Sequence, residues 1–331
     1  MPKVLIIIAL DRAAAQPPID PGARALHHGA MTQPDILCIG SVLWDIIGRA
    51  PVHMRAGSDV PGRITRLPGG VAMNIAMTLV NFGLTPALLS AIGRDAEGEA
   101  LITEARHMGM ITEYIYRSDD LPTDTYMAIE GANGLIAAIA DAHSLEQAGI
   151  KILRALSDAR LGSADSPWAG LVALDGNLTR DLLGDIANSP LFAASDLRVA
   201  PASPGKADRL LALVGHPSAT LYVNLEEAGL LCQTTFATAS VAATALLARG
   251  VHRVLVTDGG NIAAEGQNTQ IGAPVLRSAQ PPAVMVTRVT GAGDTFMAAH
   301  IASEIQGMDA QSALERALNA AATYVSGGTP S

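Results

Sequence analysis

Cysteine is nearly absent from this 331-residue chain: only Cys38 and Cys232 occur, far apart and in no CxxC pair. A disulfide framework is excluded, and a reduced, cytoplasmic protein is the simple reading. Phe, Trp and Tyr together make 3% of the residues, so any core must be built from Ala, Leu, Val and Ile. No run of Lys or Arg appears and the net charge is −9, which argues against a nucleic-acid surface. No apolar run reaches the ~18 residues of a membrane span. The eight His show no HExxH or other ligand spacing, so no structural transition-metal site is expected. There is no repeat of fixed period and no low-complexity tract.

What is present is enough apolar material for a large core: 49% hydrophobic against 16% charged, sufficient for one large α/β domain or two smaller ones. The opening MPKVLIIIALDRAAAQ has one Lys and a short apolar stretch, but no convincing cleavage site. Residues 11–30 are rich in Pro, Gly and Ala, and Met31 directly precedes the first strand-like run. Residues 1–30 are therefore expected to be a dispensable leader, with one domain over 31–331.

From DILCIG (35–40) onward, apolar runs ending in Gly or Asp alternate with helical periodicity. ALLSAIG, GLVALDG, DLRVAPAS, TLYVN, RVLVTDGG, NIAAEG and AVMVTR read as strands. Helices are expected after PGG, over AEGEALITEARHMG, near 179–188, 205–214 and 238–249, and in two Ala-rich segments at the end. The alternation predicts a mostly parallel, doubly wound sheet with helices on both faces. Two β excursions, near 43–68 and 111–139, break the rhythm. The second contains Asn133–Gly134, a strong hairpin signal. Together they would form a small lid over the strand ends, where ligands of α/β folds bind.

The most informative stretch is VTRVTGAGDTFMAA (286–299). No GxxxxGK[ST] exists, and the sixth position of a GxGxxG match here is Phe296, so neither a Walker loop nor a dinucleotide fingerprint applies. A Gly-Ala-Gly turn at a helix start leaves amides open to an anion. Asp294 beside it is either a capping residue or a general base accepting a proton from an attacking hydroxyl. PGGVAMN (68–74) is a second glycine turn, with Asn74 one helical turn on. Asp45, inside the apolar run VLWDII, needs a partner, either an Arg or a hydroxyl-rich ligand. NLEE (224–227) is a capping box or a ligand of hydrated Mg²⁺. VTDGGN (256–261) ends a strand in a turn.

In order and spacing, GG-x3-N near residue 70, N-x2-E at 224–227, the Gly-rich turn at 257–260 and TGAGD at 290–294 resemble the PfkB (ribokinase-like) carbohydrate kinase family. The resemblance covers about residues 34–328 and implies a ribokinase-like three-layer αβα sandwich with a small β lid, often used for homodimerisation. It implies transfer of the γ-phosphate of Mg·ATP to a primary hydroxyl of a sugar or nucleoside, with a monovalent cation as an optional further cofactor. By resemblance Asp294 is the catalytic base, and the amides of Gly291, Ala292 and Gly293 form the anion hole. Asn224 and Glu227 organise Mg²⁺ and its waters, Thr257 and Gly259 line the nucleotide site, and Asp45, Gly70 and Asn74 hold substrate hydroxyls. LDGN (174–177), APASPGKA (200–207) and PGGVAMNIA are similar to segments of the pseudouridine-kinase branch. That likeness adds Asp175, Asn177 and Lys206 as residues shaping the acceptor site, with Thr125 and Asp141 reaching from the lid. The expected partner is thus a small nucleoside or sugar, with no nucleic acid and no membrane. Five positions depart from the family pattern: Leu43, Met73, Ala200, Val223 and above all Arg288, where Asp or Asn is usual.

Overall fold

The computed structural model describes residues 33–331 apart from 56, 133 and 270, so the expected leader lies outside the described residues. The chain from Pro34 onward is one compact unit. Its first strand, β1 (Ile36–Ile39), is buried along its whole length. A short run that is apolar at every position, not at alternate ones, suits a strand covered on both faces.

In chain order, β2 (Leu43–Arg49) and β3 (Arg63–Gly69) leave the main sheet, and α1 (Val71–Asn81) and β4 (Pro86–Leu89) return to it. Next come β5 (Ala91–Gly93), α2 (Ala96–His107), β6 (Tyr116–Ser118), β7 (Thr125–Gly131), β8 (Gly134–Asp141) and α3 (His143–Ala148). The regular alternation resumes with β9 (Leu171–Asp175), α4 (Arg180–Asn188), β10 (Asp196–Ala200), β11 (Thr220–Asn224), α5 (Leu225–Cys232), α6 (Ala239–Ala248) and β12 (Arg253–Thr257). It closes with β13 (Ala263–Gln267), β14 (Val275–Ala279), α7 (Ala292–Ile305) and α8 (Ala310–Val325).

The main sheet has the order β14-β13-β12-β11-β10-β9-β1-β4. The six strands from β12 to β4 are parallel, and the β13–β14 hairpin adds an antiparallel edge. Strand pleating sends Leu37 and Ile39 into a core with α4, α5 and α6. It sends Ile36 and Cys38 into a second core with α1, α2, α7 and α8. Both layers are dense in Ala, as the shortage of aromatics requires. In α7 every residue from Thr295 to Ser303 is buried.

Four strands form the lid, in the order β3-β2-β7-β8. Gly131 pairs with Gly134 across the β7–β8 turn, in keeping with the hairpin signal, although Asn133 itself lies outside the described residues. Part of the second excursion does not join the lid, because β6 pairs with β5 instead.

Two expectations need correction. The segment near 205–214 is a 3₁₀ stretch, Pro204–Leu213, and not a regular α-helix. AVMVTR forms no strand: Val284, Met285 and Val286 are exposed, and the sheet edge is already taken by β14. The backbone there finds its partners elsewhere, with the amides of Thr287 and Arg288 donating to the Val325 carbonyl. Among the described residues no helix is long and apolar enough to cross a membrane.

Candidate active site

The C-terminal ends of the parallel strands converge with the N-termini of α1 and α7, the usual crevice of an open α/β sheet. Gly291 is the N-cap of α7, with φ 87° in the left-handed region that favours glycine. A Cβ there would lie 2.6 Å from the Tyr324 hydroxyl. Gly293 faces open space. The Ala292 N–H is spent on the Val289 carbonyl at 3.1 Å. Of the three amides expected at the anion hole, that of Ala292 is thus spent within the turn, whereas those of Gly291 and Gly293 have no backbone acceptor among the described residues.

Asp294 sits in the first turn of α7, yet its hydrogen bond goes out of the helix. Asn74 Nδ2 donates to Asp294 Oδ2 at 2.9 Å. Burial pushes the Asp294 carboxyl up to about 7; the Asn74 bond opposes that rise, and the charges of Asp175, Asp45 and Glu227 add to it. Asp294 therefore makes no side-chain cap of α7; its carboxylate is held by α1 instead.

The glycine pair before α1 is dictated by close approach. Gly70 has φ 95°, and a Cβ on it would meet the Ser41 carbonyl oxygen at 2.5 Å. A Cβ on Gly69 would strike the Asp45 carboxylate, and Gly69 is the register partner of Leu43 in the lid strand β2. Asp45 has its pKa raised to about 6 by burial.

Ser41, which the sequence reading missed, is the hub of a polar network beside the Gly69–Gly70 turn. Its Oγ donates to Asp175 Oδ2 (2.5 Å) and accepts from the Val71 amide (2.9 Å) and from Asn177 Nδ2 (3.0 Å). Its own amide also donates to Asp175 Oδ2 (2.8 Å). Asp175 is fully buried and further held by the Asn177 amide (2.7 Å). Lys206 Nζ donates to Asn177 Oδ1 at 2.5 Å. The structure thus joins Asp175, Asn177 and Lys206 in one chain, with Asp175 as its structural base. The only forewarning was the small polar residue between Gly40 and the strand β2.

The lid residues are placed less tightly. Thr125 and Asp141 are cross-strand partners, but Asp141 is exposed and bonded to His143 Nδ1 (2.9 Å). Asp124, absent from the sequence reading, is buried and accepts the Ser144 and Leu145 amides at 3.0 Å each, fixing the lid base to α3.

On the other flank, Asn224 and Glu227 form a reciprocal capping box, each bond 2.8 Å. Burial nevertheless pushes Glu227 up to about 7, with Glu226 adding to the rise. Thr257 is the register partner of Asn224 at the strand ends, and Gly259 (φ 56°) opens to free space. Arg288 borders the crevice, lining a cavity together with Asn74, Gly291 and Thr295, but its hydrogen bonds run the other way. Its Nε donates to the Tyr324 carbonyl and its Nη2 to the Gly328 carbonyl, each at 2.8 Å.

The family model for pfkB family carbohydrate kinases matches residues 33–329. The chain belongs to that family. Among curated proteins it is 36% identical over 147 residues to a sugar kinase of Escherichia coli, YeiI, described as uncharacterized; the match spans 44% of this chain and 39% of that one. A pseudouridine kinase of the same organism is 28% identical over 293 residues, covering 82% of this chain and 84% of the other. Among solved structures, a carbohydrate kinase from Agrobacterium tumefaciens superposes with a TM-score of 0.73 at 26% identity, over 89% of this pfkB chain and 92% of that one.

The raised Asp294 has a consequence for stability. The folded chain keeps a proton to about pH 7, whereas an unfolded Asp releases it near roughly pH 3.9. That contribution to stability is complete below about pH 4 and is lost as pH rises through about 7. Urea unfolding from pH 4 to 8 should therefore show the wild type losing stability relative to Asp294→Asn across this window. A pH-independent difference would mean that Asp294 titrates as an ordinary surface acid.

Proposed function

We propose that the chain transfers the γ-phosphate of Mg·ATP to the primary 5′-hydroxyl of a nucleoside, with pseudouridine the first candidate. The observation that carries this reading is the Asp294 carboxyl, raised to about 7 and held by Asn74 beside a glycine turn with unspent amides. A base whose pKa lies near the working pH is well matched to taking a proton from an alcohol. The acceptor hydroxyl gives its proton to Asp294 as its oxygen bonds to the γ-phosphorus and the bridging bond to ADP breaks. The amides of Gly291 and Gly293, with the N-terminal end of α7, stabilise the charge on the transferred group.

Magnesium fits the residues on the nucleotide flank. Among the described residues no three His, Cys, Asp or Glu come together to hold a metal. A hard cation that keeps most of its waters needs only one or two carboxylates plus phosphates. Glu227, burdened by burial and by a neighbouring acid, is suited to such an ion, and Mg²⁺ would supply charge neutralisation at the phosphates. Asn224 would hold Glu227 in place through the capping box. Thr257 and Gly259 would border the nucleotide.

Pseudouridine is preferred because Asn177 and Lys206 form a polar chain able to meet the base edge, and because a curated relative matched over most of both chains bears that name. A kinase of a free sugar or of another nucleoside is the alternative within the class. A homodimer through the lid is part of the proposal. In register, Ile46 opposes Met127, which opposes Ile139, and Gly48 lies between Ile64 and Ile129. Ile64, Met127, Ile129 and Ile139 are thus on one face and all exposed, an apolar patch that a second lid would cover.

Three measurements test these statements. ADP release over a panel of nucleosides and sugars should be fastest with pseudouridine, ahead of uridine and ribose; equal rates would remove the nucleoside preference. Asp294→Asn should lower kcat by on the order of 10²–10⁴ with the fold intact, whereas a change confined to stability would return Asp294 to a structural role. Light scattering should find a wild-type dimer that Ile139→Asp converts to an active-site-competent monomer by nucleotide binding; an unchanged mass would place any dimer contact elsewhere.

A further inference from the structure

Arg288, the clearest departure from the family pattern, lies just before the glycine turn; it lines a cavity with Asn74 and Gly291, while its hydrogen bonds run to the end of α8. The last carbonyls of α8 lack intrahelical donors, as at any helix end. Residues just past the helix supply some, with the Gly327 amide on Tyr324 O and the Gly328 amide on Thr323 O, and the segment before Gly291 supplies the rest. Thr287 donates to Val325 O through both its amide (2.8 Å) and its hydroxyl (3.0 Å). Arg288 donates to Tyr324 O and Gly328 O, and its guanidinium carbon lies 3.7 Å from the centre of the Tyr324 ring. The same tyrosine then reaches back, its hydroxyl donating to the Thr290 carbonyl at 2.9 Å. That carbonyl belongs to the peptide that enters Gly291, whose left-handed φ brings the turn against the tyrosine oxygen.

Two facts suggest that this clamp does more than finish a helix. The preceding segment has no strand partner and exposes Val284, Met285, Val286 and Val289, so little else holds the turn from that side. The tyrosine also feels the crevice: burial raises its pKa, Arg288 lowers it, and the charges of Asp294 and Asp45 raise it. A cation that stacks on the ring while bonding two carbonyls orients the ring in a way a lysine could not reproduce.

We propose that Arg288 and Tyr324 are positioning residues that hold the Gly291 turn, and with it the anion-hole amides, in the geometry needed for phosphoryl transfer. This rests on the kinase reading above. Misplacement of such a turn by a fraction of an ångström weakens transition-state stabilisation more than ground-state binding. The plainer alternative is a cation capping α8, which would affect stability alone.

The test compares wild type with Arg288→Gln, Arg288→Lys, Tyr324→Phe and the Gln/Phe double variant, using kcat, KM, thermal unfolding and amide hydrogen exchange. Arg288→Gln and Tyr324→Phe should each lower kcat by on the order of 10–10²-fold, with acceptor KM nearly unchanged. The double variant should be little worse than either single one, since both changes break the same clamp. Lysine should restore only part of the rate. Amide exchange should rise over residues 290–295 in both single variants, a readout that needs no substrate. Unchanged kcat and unchanged exchange at that turn, with only a lower Tm, would overturn the proposal in favour of a helix cap. Inactivity of the wild type on every acceptor would instead sink the kinase reading, and the exchange data would still decide the clamp.

Discussion

The chemistry of this molecule depends on two helices lying close together at the correct end. Asn74 and Asp294 are 220 positions apart, and their 2.9 Å bond exists only because α1 and α7 pack against each other with their N-termini at the same end of the sheet. A second bond, from Gln306 Nε2 to the Phe82 carbonyl at 3.2 Å, ties the opposite ends of the same pair. Small residues buried in the same core on both helices, Ala72 and Ala76 on α1 and Ala298, Ala299 and Ala302 on α7, permit that approach. A larger side chain at such a contact would push the pair apart, at a typical cost of about 1–3 kcal/mol, and would also move the acid from its partner.

The far end of α7 is fixed by different means. Glu304 receives Arg198 Nη1 (2.6 Å) and Arg253 Nη1 (2.7 Å), and Arg253 also pairs with the fully buried Glu265 (2.7 Å). His300, one turn earlier, bonds the Tyr222 hydroxyl at 2.9 Å and is held neutral, its pKa pushed down to about 3 by burial. Buried ion networks seldom add net stability over a hydrophobic replacement, because desolvation offsets the attraction. Their use here is specificity: charges on β10, β12 and β13 can be satisfied in one arrangement of the helix. The apolar contacts of a helix so rich in alanine would fix its rotation and translation far less sharply.

Much of this was readable in the sequence because its causes are local. Strand runs that are apolar at every position meant a buried parallel sheet, and glycine turns before Val71 and at Gly291 marked the two helix starts that face the crevice. NLEE was readable as a capping box, and that geometry is present. What escaped detection has non-local causes. Ser41 is one ordinary serine until β9 brings Asp175 to it across 134 positions. Asp124 was an unremarkable acid at the head of the TDTYMAIEG strand run until α3 turned its amides toward it. AVMVTR has the composition of a strand, yet an edge already occupied by β14 leaves it none to join. Arg288 stood out only as an exception, and its meaning lies in a tail at the other end of two helices.

The acids around the crevice divide by what balances their charge. Asp175 is the most deeply buried, yet it accepts bonds from Ser41 and Asn177, so donors within the fold satisfy it. Asp45, Glu227 and Asp294 are instead raised to about 6, 7 and 7, with burial the leading cause in each case. Three carboxyls kept near neutral pH by desolvation are costly for a protein that already carries a net charge of −9. On the proposed function the charges of these three are balanced from outside: by hydroxyl protons at Asp45 and Asp294, and by a cation near Glu227. On that proposal, internal balance at Asp175 and external balance at the other three separate the scaffold of the site from its working surface.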